Sequence, residues 1–414
     1  MISNSGHHRL VFVVNSPIAL AYLQGQPRYF QGRGFDVTIL CPSRREGEWE
    51  VALPDGISTV AIPMERKIAP LRDLLSLWRL WCAMRALRPA VTNVGTPKAA
   101  LLGGLAAWLN RVPCRFYTLH GLRFETTRGL KRRLLICAER LACQLAHRVL
   151  CVSHSVQEKA IACGLTSRER TVVFGSGSCN GVDASRFAPS PKLMQRAAAL
   201  RRHFGIPEKA AVILFVGRLT VDKGIPELVE AFVQLDEQFP DLRLLLVGCF
   251  EAEDPLPAET HRLLERHSHI IFAGAVRDTP GYYAAADIVV LPSHREGLPT
   301  VVLEAQAAGK AVVGANVTGI VDVITDGETG LLFPVGDATA LGKAIARLIT
   351  DNALVRKLEV VGRERVQREF QQQQIWDALY GAYLQVLEKN ESRLRQAATH
   401  NDKGKTLLVR SSEH

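Results

Sequence analysis

Short apolar runs alternate with helix-length segments along almost the whole chain, and this alternation limits the possible folds more than any other feature. Runs of this length match buried strands, and strand, helix and strand in succession predict a parallel sheet covered by helices. The strand-like runs are 9–15, 37–40, 57–63, 90–94, 115–120, 148–153, 171–174, 211–219, 242–248, 269–276, 287–293 and 310–315. Segment 71–89 is predicted to be a helix, with helical spacing at Leu71, Leu74, Leu75, Trp78, Trp81 and Cys82.

The alternation breaks once, at residues 183–195, where Pro189 and Pro191 stand among small polar residues. A chain of 414 residues is too long for one ordinary core. We therefore predict two doubly wound α/β domains, 9–185 and 186–372. Residues 1–8 and the polar segment 391–414 are predicted to be mobile.

The composition excludes several classes of protein. A hydrophobic content of 47% with 22% charged residues is ordinary for a globular protein. No apolar run reaches the roughly 18 residues of a membrane span, and no cleavable leader precedes residue 9, so a cytoplasmic location is expected. Nine cysteines without a C-x-x-C pair favour reduced thiols over a disulfide frame or a zinc site.

The net charge of +10 indicates attraction to anions, which leaves nucleic acid, acidic lipid headgroups and diphosphate-bearing substrates as candidates. Nucleic acid is the least favoured, because the basic residues lack interleaved aromatic residues and no nucleic-acid-binding module is seen.

The strand-like run 211–219 continues into the sequence GRLTVDKG, which has features of an anion site. Gly217 permits a tight turn, and Arg218 and Lys223 place two cations over the loop that opens the next helix. A helix N-terminus adds partial positive charge, which suits a diphosphate. A solvated turn with exposed cations is the alternative.

The run 287–293 is followed by two glutamates, Glu296 and Glu304, around a Gly-x-Pro turn. Pro299 fits the first turn of a helix, so the backbone amides of Thr300 and Val301 are expected to point outward towards a phosphate. One helical turn of about 5.4 Å separates such a phosphate from a ribose that Glu304 could hold. Glu296 is then placed to accept from sugar hydroxyls, with bare backbone at Gly297 leaving room for the sugar.

In this order, GRLTVDKG, LPSHREGLPTVVLEAQAAGKAVV and DGETGLLFPVGD resemble family 4 of the retaining glycosyltransferases, which have the GT-B fold. Glu296 and Glu304 match that family's E-x7-E pattern, and the resemblance covers nearly all of 9–388. It implies an α/β architecture of two Rossmann-like parallel-sheet domains with a cleft between them. The first domain would bind the acceptor and the second the nucleotide-sugar donor, and a helix at 373–390 would cross back to the first domain.

The same resemblance implies the roles of individual residues. His120, which ends the run RFYTLH, matches the family's active-site histidine, and Glu296 is the second residue with an implied catalytic role. The other implied roles are Arg218, Lys223, Thr300 and Val301 for the donor diphosphate, Glu304 for the ribose, and Glu296, Gly297, Leu298 and Pro299 for the donor sugar.

Three stretches of the first half, 95–103, 117–135 and 174–183, resemble a narrower bacterial group that builds capsule, exopolysaccharide and lipid-linked glycans. That group often adds an N-acetylhexosamine to a sugar on undecaprenyl diphosphate, which implies a UDP-sugar donor and a polyprenyl-diphosphate-linked acceptor. The chain departs from the group at TNVGTPK, where a histidine is usual, and Asn93, Thr96 and Lys98 are the acceptor contacts expected there. The first loop, NSPIALAYLQGQ, also lacks the family's usual glycines.

Segment 128–150 combines a basic start, at Arg128, Lys131, Arg132 and Arg133, with a broad apolar stripe. This combination suits shallow contact with an anionic membrane surface. Basic residues at a helix start oppose the helix dipole, which favours a functional reason for them over an ordinary core helix. We therefore expect a cytoplasmic protein held peripherally at the inner face of the plasma membrane.

The chemistry follows from the leaving group. Fixed cations and helix amides would stabilise a departing nucleotide diphosphate, so neither a metal nor another cofactor is expected, and no Asp-x-Asp element is seen where one would be required. The family implies retention of configuration, with same-face attack as the working hypothesis. Two alternatives stay open: a nucleotide-sugar epimerase of the same fold, and a non-catalytic, membrane-associated polysaccharide assembly factor.

Overall fold

The structure, a computed structural model, describes residues 8–43, 56–65 and 69–410. Residues 1–7 and 411–414, parts of the two segments predicted to be mobile, lie outside this description. The strands are β1 (His8–Val13), β2 (Phe35–Cys41), β3 (Ser58–Ala61), β4 (Val91–Gly95), β5 (Cys114–Leu119), β6 (Arg148–Cys151), β7 (Thr171–Val172), β8 (Ala211–Val216), β9 (Leu242–Val247), β10 (Ile270–Gly274), β11 (Ile288–Leu291), β12 (Ala311–Ala315) and β13 (Leu331–Phe333).

Helices fill the segments between the strands. They are α1 (Gln26–Gln31), α2 (Pro70–Leu87), α3 (Pro97–Leu109), α4 (Gly129–Leu145), α5 (His154–Ala162), α6 (Pro191–His203), α7 (Ile225–Asp236), α8 (Ala258–Arg266), α9 (Pro280–Ala285), α10 (Thr300–Ala307), α11 (Ile320–Val323), α12 (Ala338–Thr350), α13 (Asn352–Glu369) and α14 (Gln372–Arg410). None of the helices in the described residues has the length and apolar character needed to cross a bilayer.

The described strands form two sheets, in the orders β3-β2-β1-β4-β5-β6-β7 and β10-β9-β8-β11-β12-β13, and every pairing is parallel. The predicted α/β fold with two Rossmann-like sheets is therefore confirmed. The strand order reverses between β1 and β4 in the first sheet and between β8 and β11 in the second. In such sheets ligands bind beyond the carboxyl ends of the strands near the reversal.

The first sheet is buried on both faces, because successive strand side chains point to opposite sides. Val11 and Val13 pack with α2, α3 and α4, whereas Leu10 and Phe12 pack with α1 and α14. This arrangement explains why β1 has an uninterrupted apolar run instead of alternating polar and apolar residues.

Helix α14 returns from the second domain to the first sheet, where Ile375, Leu379, Tyr383 and Leu387 are buried. The helix extends to Arg410, so it is longer than the predicted 373–390 and includes most of the segment expected to be a mobile tail. Residues 391–410 lack apolar periodicity but contain many good helix formers such as Ala, Leu, Arg and Gln.

The second core begins before the predicted domain boundary at 186, since Val182 and Ala184 belong to it. The interrupted stretch 183–195 is also not a free linker. Helix α6 begins at Pro191, and the Ser190 hydroxyl caps it by accepting from the Leu193 amide at 3.3 Å. The prolines of this stretch therefore mark the start of α6, where the N–H group that Pro191 lacks would have no partner within the helix.

Helix α2 forms where the spacing predicts it, but four of the six residues that gave the prediction do not face the core. Leu71 is 86% exposed and Trp78 is 58% exposed, and Leu74 and Leu75 are exposed as well. Ser76, Leu80 and Met84 form the buried side instead. The nine cysteines are all free thiols, as expected, although Cys137 and Cys249 are exposed.

Candidate active site

The two domains meet where the loop after β5 contacts the loop after β11. A Cβ atom placed on Gly297 would lie 1.9 Å from the carbonyl oxygen of His120, and one on Gly121 would lie 3.3 Å from the Cα atom of Gly297. Only glycine permits this backbone contact. In this structure the space beside the Gly297 Cα atom is taken by the His120 backbone, and the expectation that Gly297 also leaves room for a sugar stays a prediction.

Hydrogen bonds between the domains hold these loops together. The Ser153 hydroxyl donates to the carbonyl oxygen of Gly297 at 2.8 Å, and the Thr318 hydroxyl donates to Oε1 of Glu125 at 2.9 Å. The backbone amide of Ser155 donates to Asp322 at 3.1 Å. The position of Glu296 relative to the first domain is therefore fixed from both sides.

Lys223 and Glu296 meet at the bottom of the cleft. Nζ of Lys223 lies 2.5 Å from Oε1 of Glu296, and the two side chains are only 16% and 14% exposed. Gly224 makes this approach possible, because its φ is +71° and a Cβ there would lie 2.1 Å from the carbonyl oxygen of Pro292. The sequence prediction that Lys223 and Glu296 serve one site is consistent with this contact.

Arg218 follows β8 and lies on the same side of the cleft. Its guanidinium donates to Oε2 of Glu251 at 2.7 Å. Glu251 was not selected from the sequence, since it belongs to a separate loop after β9. The pair keeps the Arg218 guanidinium oriented at the carboxyl end of the sheet.

Helix α10 supplies the amides and the second glutamate of the predicted pattern. Pro299 caps this helix and does not lie in its first turn, so Thr300 and Val301 are the first two helical residues. The amides of the first helical turn lack carbonyl partners within the helix, and the helix dipole places partial positive charge there. Both features favour an anion at this point, as the sequence predicted.

Glu304 lies one turn into α10 and is largely buried. Its Oε2 accepts a hydrogen bond from the Tyr283 hydroxyl at 2.7 Å. Burial raises the pKa of Glu304 to about 7, although this hydrogen bond acts in the opposite direction. Tyr283, on α9, orients the carboxylate, and nothing in the spacing of the sequence indicated this contact.

His120 lies at the first-domain side of the cleft in a narrow, mostly apolar setting. Its ring stacks on Tyr22 with centroids 4.8 Å apart, and Nδ1 is 3.7 Å from Sγ of Cys179. Burial lowers the pKa of His120 to about 4, so the imidazole is neutral at neutral pH. Beside it is a cavity of about 20 Å³, which is room for a water molecule.

Two of these neighbours were missed from the sequence. Tyr22 comes from the loop after β1, which we singled out only because it is not glycine-rich, and Cys179 comes from the loop before the second domain. Partial burial of the Tyr22 hydroxyl in the cleft, and then the Glu296 carboxylate, raise the pKa of Tyr22. Tyr22 therefore links the His120 side of the cleft to the Glu296 side.

Two further arginines that sequence reasoning missed stand at the mouth of the cleft. Arg295 pairs with Asp222 at 2.8 Å and donates to the Thr126 hydroxyl of the first domain at 3.2 Å. Burial and then the nearby charge of Arg295 lower the pKa of Arg123. The sequence could have indicated both arginines by their positions, since Arg123 is three residues from His120 and Arg295 is next to Glu296.

The three predicted acceptor contacts have different environments. Asn93 is buried, donates to the Tyr383 hydroxyl at 2.7 Å and accepts from the Thr118 hydroxyl at 2.8 Å. Lys98 pairs with Asp73 at 2.7 Å. Thr96 begins α3 with a φ of +67°, a conformation that is rare for a β-branched residue and that clusters at functional sites.

The predicted membrane-contact residues lie at the start of α4. Arg128 caps α4, and Lys131, Arg132 and Arg133 are exposed in its first turns. Within the described ranges, no group of three or more His, Cys, Asp or Glu side chains is arranged to hold a metal ion.

Comparison with known proteins identifies the family. The model of the glycosyl transferase 4-like domain matches residues 20–177, and the model of glycosyl transferases group 1 matches residues 197–365. The capsular polysaccharide biosynthesis glycosyltransferase CapM of Staphylococcus aureus is 30% identical over 387 residues, which cover 94% of this chain and all of that protein. The chain belongs to the group 1 glycosyltransferases.

Other relatives and solved structures agree with this assignment. An Escherichia coli UDP-Gal:alpha-D-GlcNAc-diphosphoundecaprenol alpha-1,3-galactosyltransferase is 26% identical over 324 residues, 77% of this chain and 81% of that protein. Anabaena Alr3699/HepE, solved in complex with UDP and glucose, superposes with a TM-score of 0.73 at 21% identity, covering 91% of this chain and 99% of that one. Sucrose-phosphate synthase of Thermosynechococcus elongatus gives 0.76 at 23% identity, covering 92% and 100%. The glycosyltransferase therefore has the GT-B fold.

Proposed function

We propose that this glycosyltransferase moves a hexose or N-acetylhexosamine from a UDP sugar to a glycan carried on undecaprenyl diphosphate, with retention of configuration, in the assembly of a bacterial surface polysaccharide. The observation that carries the proposal is the convergence of Lys223, Glu296 and the His120 loop at one point between the two sheets. The E. coli relative, a galactosyltransferase acting on GlcNAc-diphosphoundecaprenol, supports the acceptor class, and S. aureus CapM supports a role in polysaccharide assembly. The Anabaena protein, solved in complex with UDP and glucose, supports the donor class.

The donor would lie across the carboxyl ends of β8 and β11. Its diphosphate would contact Arg218, Lys223 and the α10 amides, since these are the fixed positive groups of that edge. Its ribose would reach Glu304, whose second oxygen stays available while Tyr283 holds the first. The transferred sugar would then face Glu296 and His120.

The reaction breaks the bond between the anomeric carbon and the diphosphate oxygen and forms a bond from that carbon to an acceptor hydroxyl oxygen. Negative charge develops on the departing UDP, where preorganised cations stabilise it more in the transition state than in the ground state. In same-face attack the departing phosphate oxygen takes the proton of the acceptor hydroxyl. His120, neutral because of its lowered pKa, would accept from or donate to a sugar hydroxyl without adding charge.

We propose that the transfer needs no metal, because Arg218 and Lys223 already supply the positive charge that the leaving group requires. Chelation tests this directly. Turnover should be the same after dialysis against EDTA, and loss of turnover that Mg²⁺ or Mn²⁺ restores would reject the metal-free proposal.

The acceptor would enter from the first domain. Arg123 would meet its diphosphate as a cation from the first domain, which the nearby charges of Arg295 and Arg218 support. Thr96 lies at the same edge of the sheet, and its unusual φ supports a role there. Asn93 and Lys98 would act by holding this edge in place, since both side chains are engaged within the first domain.

The basic start of α4 would hold the protein at an anionic membrane. Charge reversal of Lys131, Arg132 and Arg133 to Glu should weaken sedimentation with phosphatidylglycerol vesicles, because each cation near such a surface contributes about 1 kcal/mol. Unchanged sedimentation would count against contact through α4. Reversal at Lys343, an exposed lysine of the second domain, is the matched control.

The proposed function is tested by incubating the protein with a panel of nucleotide sugars and undecaprenyl-diphosphate-linked acceptors and by determining product stereochemistry. A UDP sugar should be consumed only with a lipid-linked acceptor, and the new linkage should keep the donor's anomeric configuration. An inverted linkage would reject the retaining mechanism. Conversion of the nucleotide sugar to its epimer without any acceptor would establish an epimerase instead.

A further inference from the structure

Three neighbouring helices of the first domain carry large apolar side chains on the surface that faces away from the sheet. Helix α3 lies between α2 and α4, and all three cover the same face of the sheet. We call the exposed residues of this surface the outer apolar face. Its members are Leu71, Leu74, Leu75 and Trp78 of α2, Trp108 and Leu109 of α3, and Leu130 and Leu134 of α4.

Folding does not account for this face. Helix α2 already buries one side, at Ser76, Leu80 and Met84, against the core. Leu71, Leu74, Leu75 and Trp78 form a second stripe, at the spacing i, i+3, i+4 and i+7 that places side chains on one side of a helix. Beside the stripe is an apolar groove of about 730 Å³, lined only by leucine and tryptophan. Exposed apolar surface of this extent marks an interaction site in a soluble domain.

The charge of these three helices and of the residues that flank them indicates the partner. Residues 70–88, 97–111 and 128–145 contain eleven Lys and Arg and two Asp and Glu, so they supply nine of the ten net positive charges of the chain. Neither acid offsets the exposed cations, because Asp73 pairs with Lys98 and Glu139 is buried and accepts from the Tyr117 hydroxyl. The partner is therefore apolar at its centre and anionic around it.

We infer that the outer apolar face seats in an anionic lipid bilayer, with the α2 stripe inserted at the level between headgroups and acyl chains. Leucine and tryptophan with flanking arginine is the composition of a helix that lies in the membrane interface. Helices α2 and α4 both begin beyond the carboxyl ends of strands, at the edge where the cleft opens. If this face is seated on a membrane, the opening of the cleft comes close to the membrane surface, where a lipid-linked acceptor would be. This link to the acceptor rests on the proposed function.

Sedimentation with vesicles of phosphatidylglycerol and phosphatidylethanolamine tests the inference. The double variant Leu74→Ser, Trp78→Ser should bind at least about tenfold more weakly, since each side chain loses the transfer free energy of a buried leucine or tryptophan. The matched control is Met194→Ser, Val360→Ser, which removes exposed apolar side chains from the second domain. Wild-type protein should also bind vesicles of phosphatidylcholine less than anionic ones.

A second measurement locates the insertion. Lipids brominated on their acyl chains should quench tryptophan fluorescence of the wild type, and Trp78→Phe should lose part of that quenching while still binding. Binding of UDP-N-acetylglucosamine in solution should be unchanged in the Ser variant, which separates a failure of this inference from a failure of the proposed function. Equal vesicle binding by the Ser variant would overturn the inference. So would a stable dimer that the same substitutions dissociate, since the face would then bind a second copy.

Discussion

At the residue scale, some residues of the site lie there because they follow the end of a strand, whereas others reach the site only through the packing of separate segments. Arg218, Lys223, Glu296 and Glu304 follow strand ends closely, so their shared edge could be predicted once β8 and β11 were identified. Tyr22, Cys179 and Tyr283 reach the site from other segments, and no spacing in the sequence encodes those contacts, whereas Arg123 lies three residues after His120 and could have been selected from that position. Local pattern therefore predicted the donor side of the cleft better than the first-domain side.

The raised pKa of Glu304 predicts pH-dependent donor binding. The ionised carboxylate accepts from ribose hydroxyls much more strongly than the neutral acid, and its pKa of about 7 in the folded protein means that ionisation increases between pH 6 and 8. Affinity for UDP-N-acetylglucosamine, measured by calorimetry, should increase about tenfold over this range, as the ionised fraction does. Glu304→Gln should bind more weakly and without this pH dependence. An equally steep profile in the variant would assign the titration to another group.

Glu139 predicts that stability falls as the pH rises, whereas an acid with a lowered pKa in the folded protein makes stability rise. Burial raises its pKa to about 7 in the folded protein, above its ordinary value, so folding disfavours the charged form. Stability should therefore fall as the pH rises from the unfolded pKa towards 7, by up to about 3 kcal/mol. Glu139→Gln should lose this decline, and its urea midpoint should exceed that of the wild type most at pH 8.5. A variant midpoint that follows the wild type at every pH would show that Glu139 is ionised in the native state.

At the element scale, periodicity predicted where helices form but not which side they bury or where they end. In α2 the strongest apolar spacing belongs to the exposed stripe, because Ser76 interrupts the buried one. Helix α14 continues to Arg410, well beyond the segment with apolar periodicity that ends near Leu387, since helix propensity without periodicity continues it. The strands were located more accurately, because short apolar runs bounded by polar residues have few other solutions in an α/β protein.

The attachment of α14 to the first sheet depends on a buried hydrogen bond. Tyr383→Phe would leave the Nδ2 group of Asn93 without its partner, and a buried unpaired amide costs about 1 to 3 kcal/mol. The urea midpoint should fall accordingly. Tyr380→Phe is the matched control on the same helix and should change the midpoint little, because among the described residues the Tyr380 hydroxyl makes no such bond to the sheet. Equal midpoints for the two variants would remove the proposed role of Asn93.

At the scale of the whole molecule, the cleft depends on two loops that pass each other at backbone distance. Gly297→Ala would place a methyl group 1.9 Å from the His120 carbonyl oxygen, so the domains must separate by an ångström or more. Misplacement of that size costs about a hundredfold in rate. Turnover should fall by that order while circular dichroism is unchanged, since each domain keeps its own core. Gly381→Ala, in open space on α14, is the matched control.

The fold itself was predictable at this scale, because two runs of alternating strands and helices leave few arrangements other than two parallel sheets. The close contact between the two domains could not be predicted, because a glycine at position 121 or 297 could serve many purposes that the sequence alone does not distinguish. Their role becomes evident only when the two loops are placed against each other.

The central claim is that the cleft between the domains holds a nucleotide sugar by its diphosphate. Calorimetric titration of UDP-N-acetylglucosamine into the wild type, Lys223→Ala, Arg218→Ala and the control Lys343→Ala tests it most directly. We predict binding to the wild type and to the control, and at least about tenfold weaker binding when either cation of the cleft is removed, since a charge-assisted hydrogen bond contributes about 1.5 to 3 kcal/mol. Binding of equal strength to all four proteins would contradict the account.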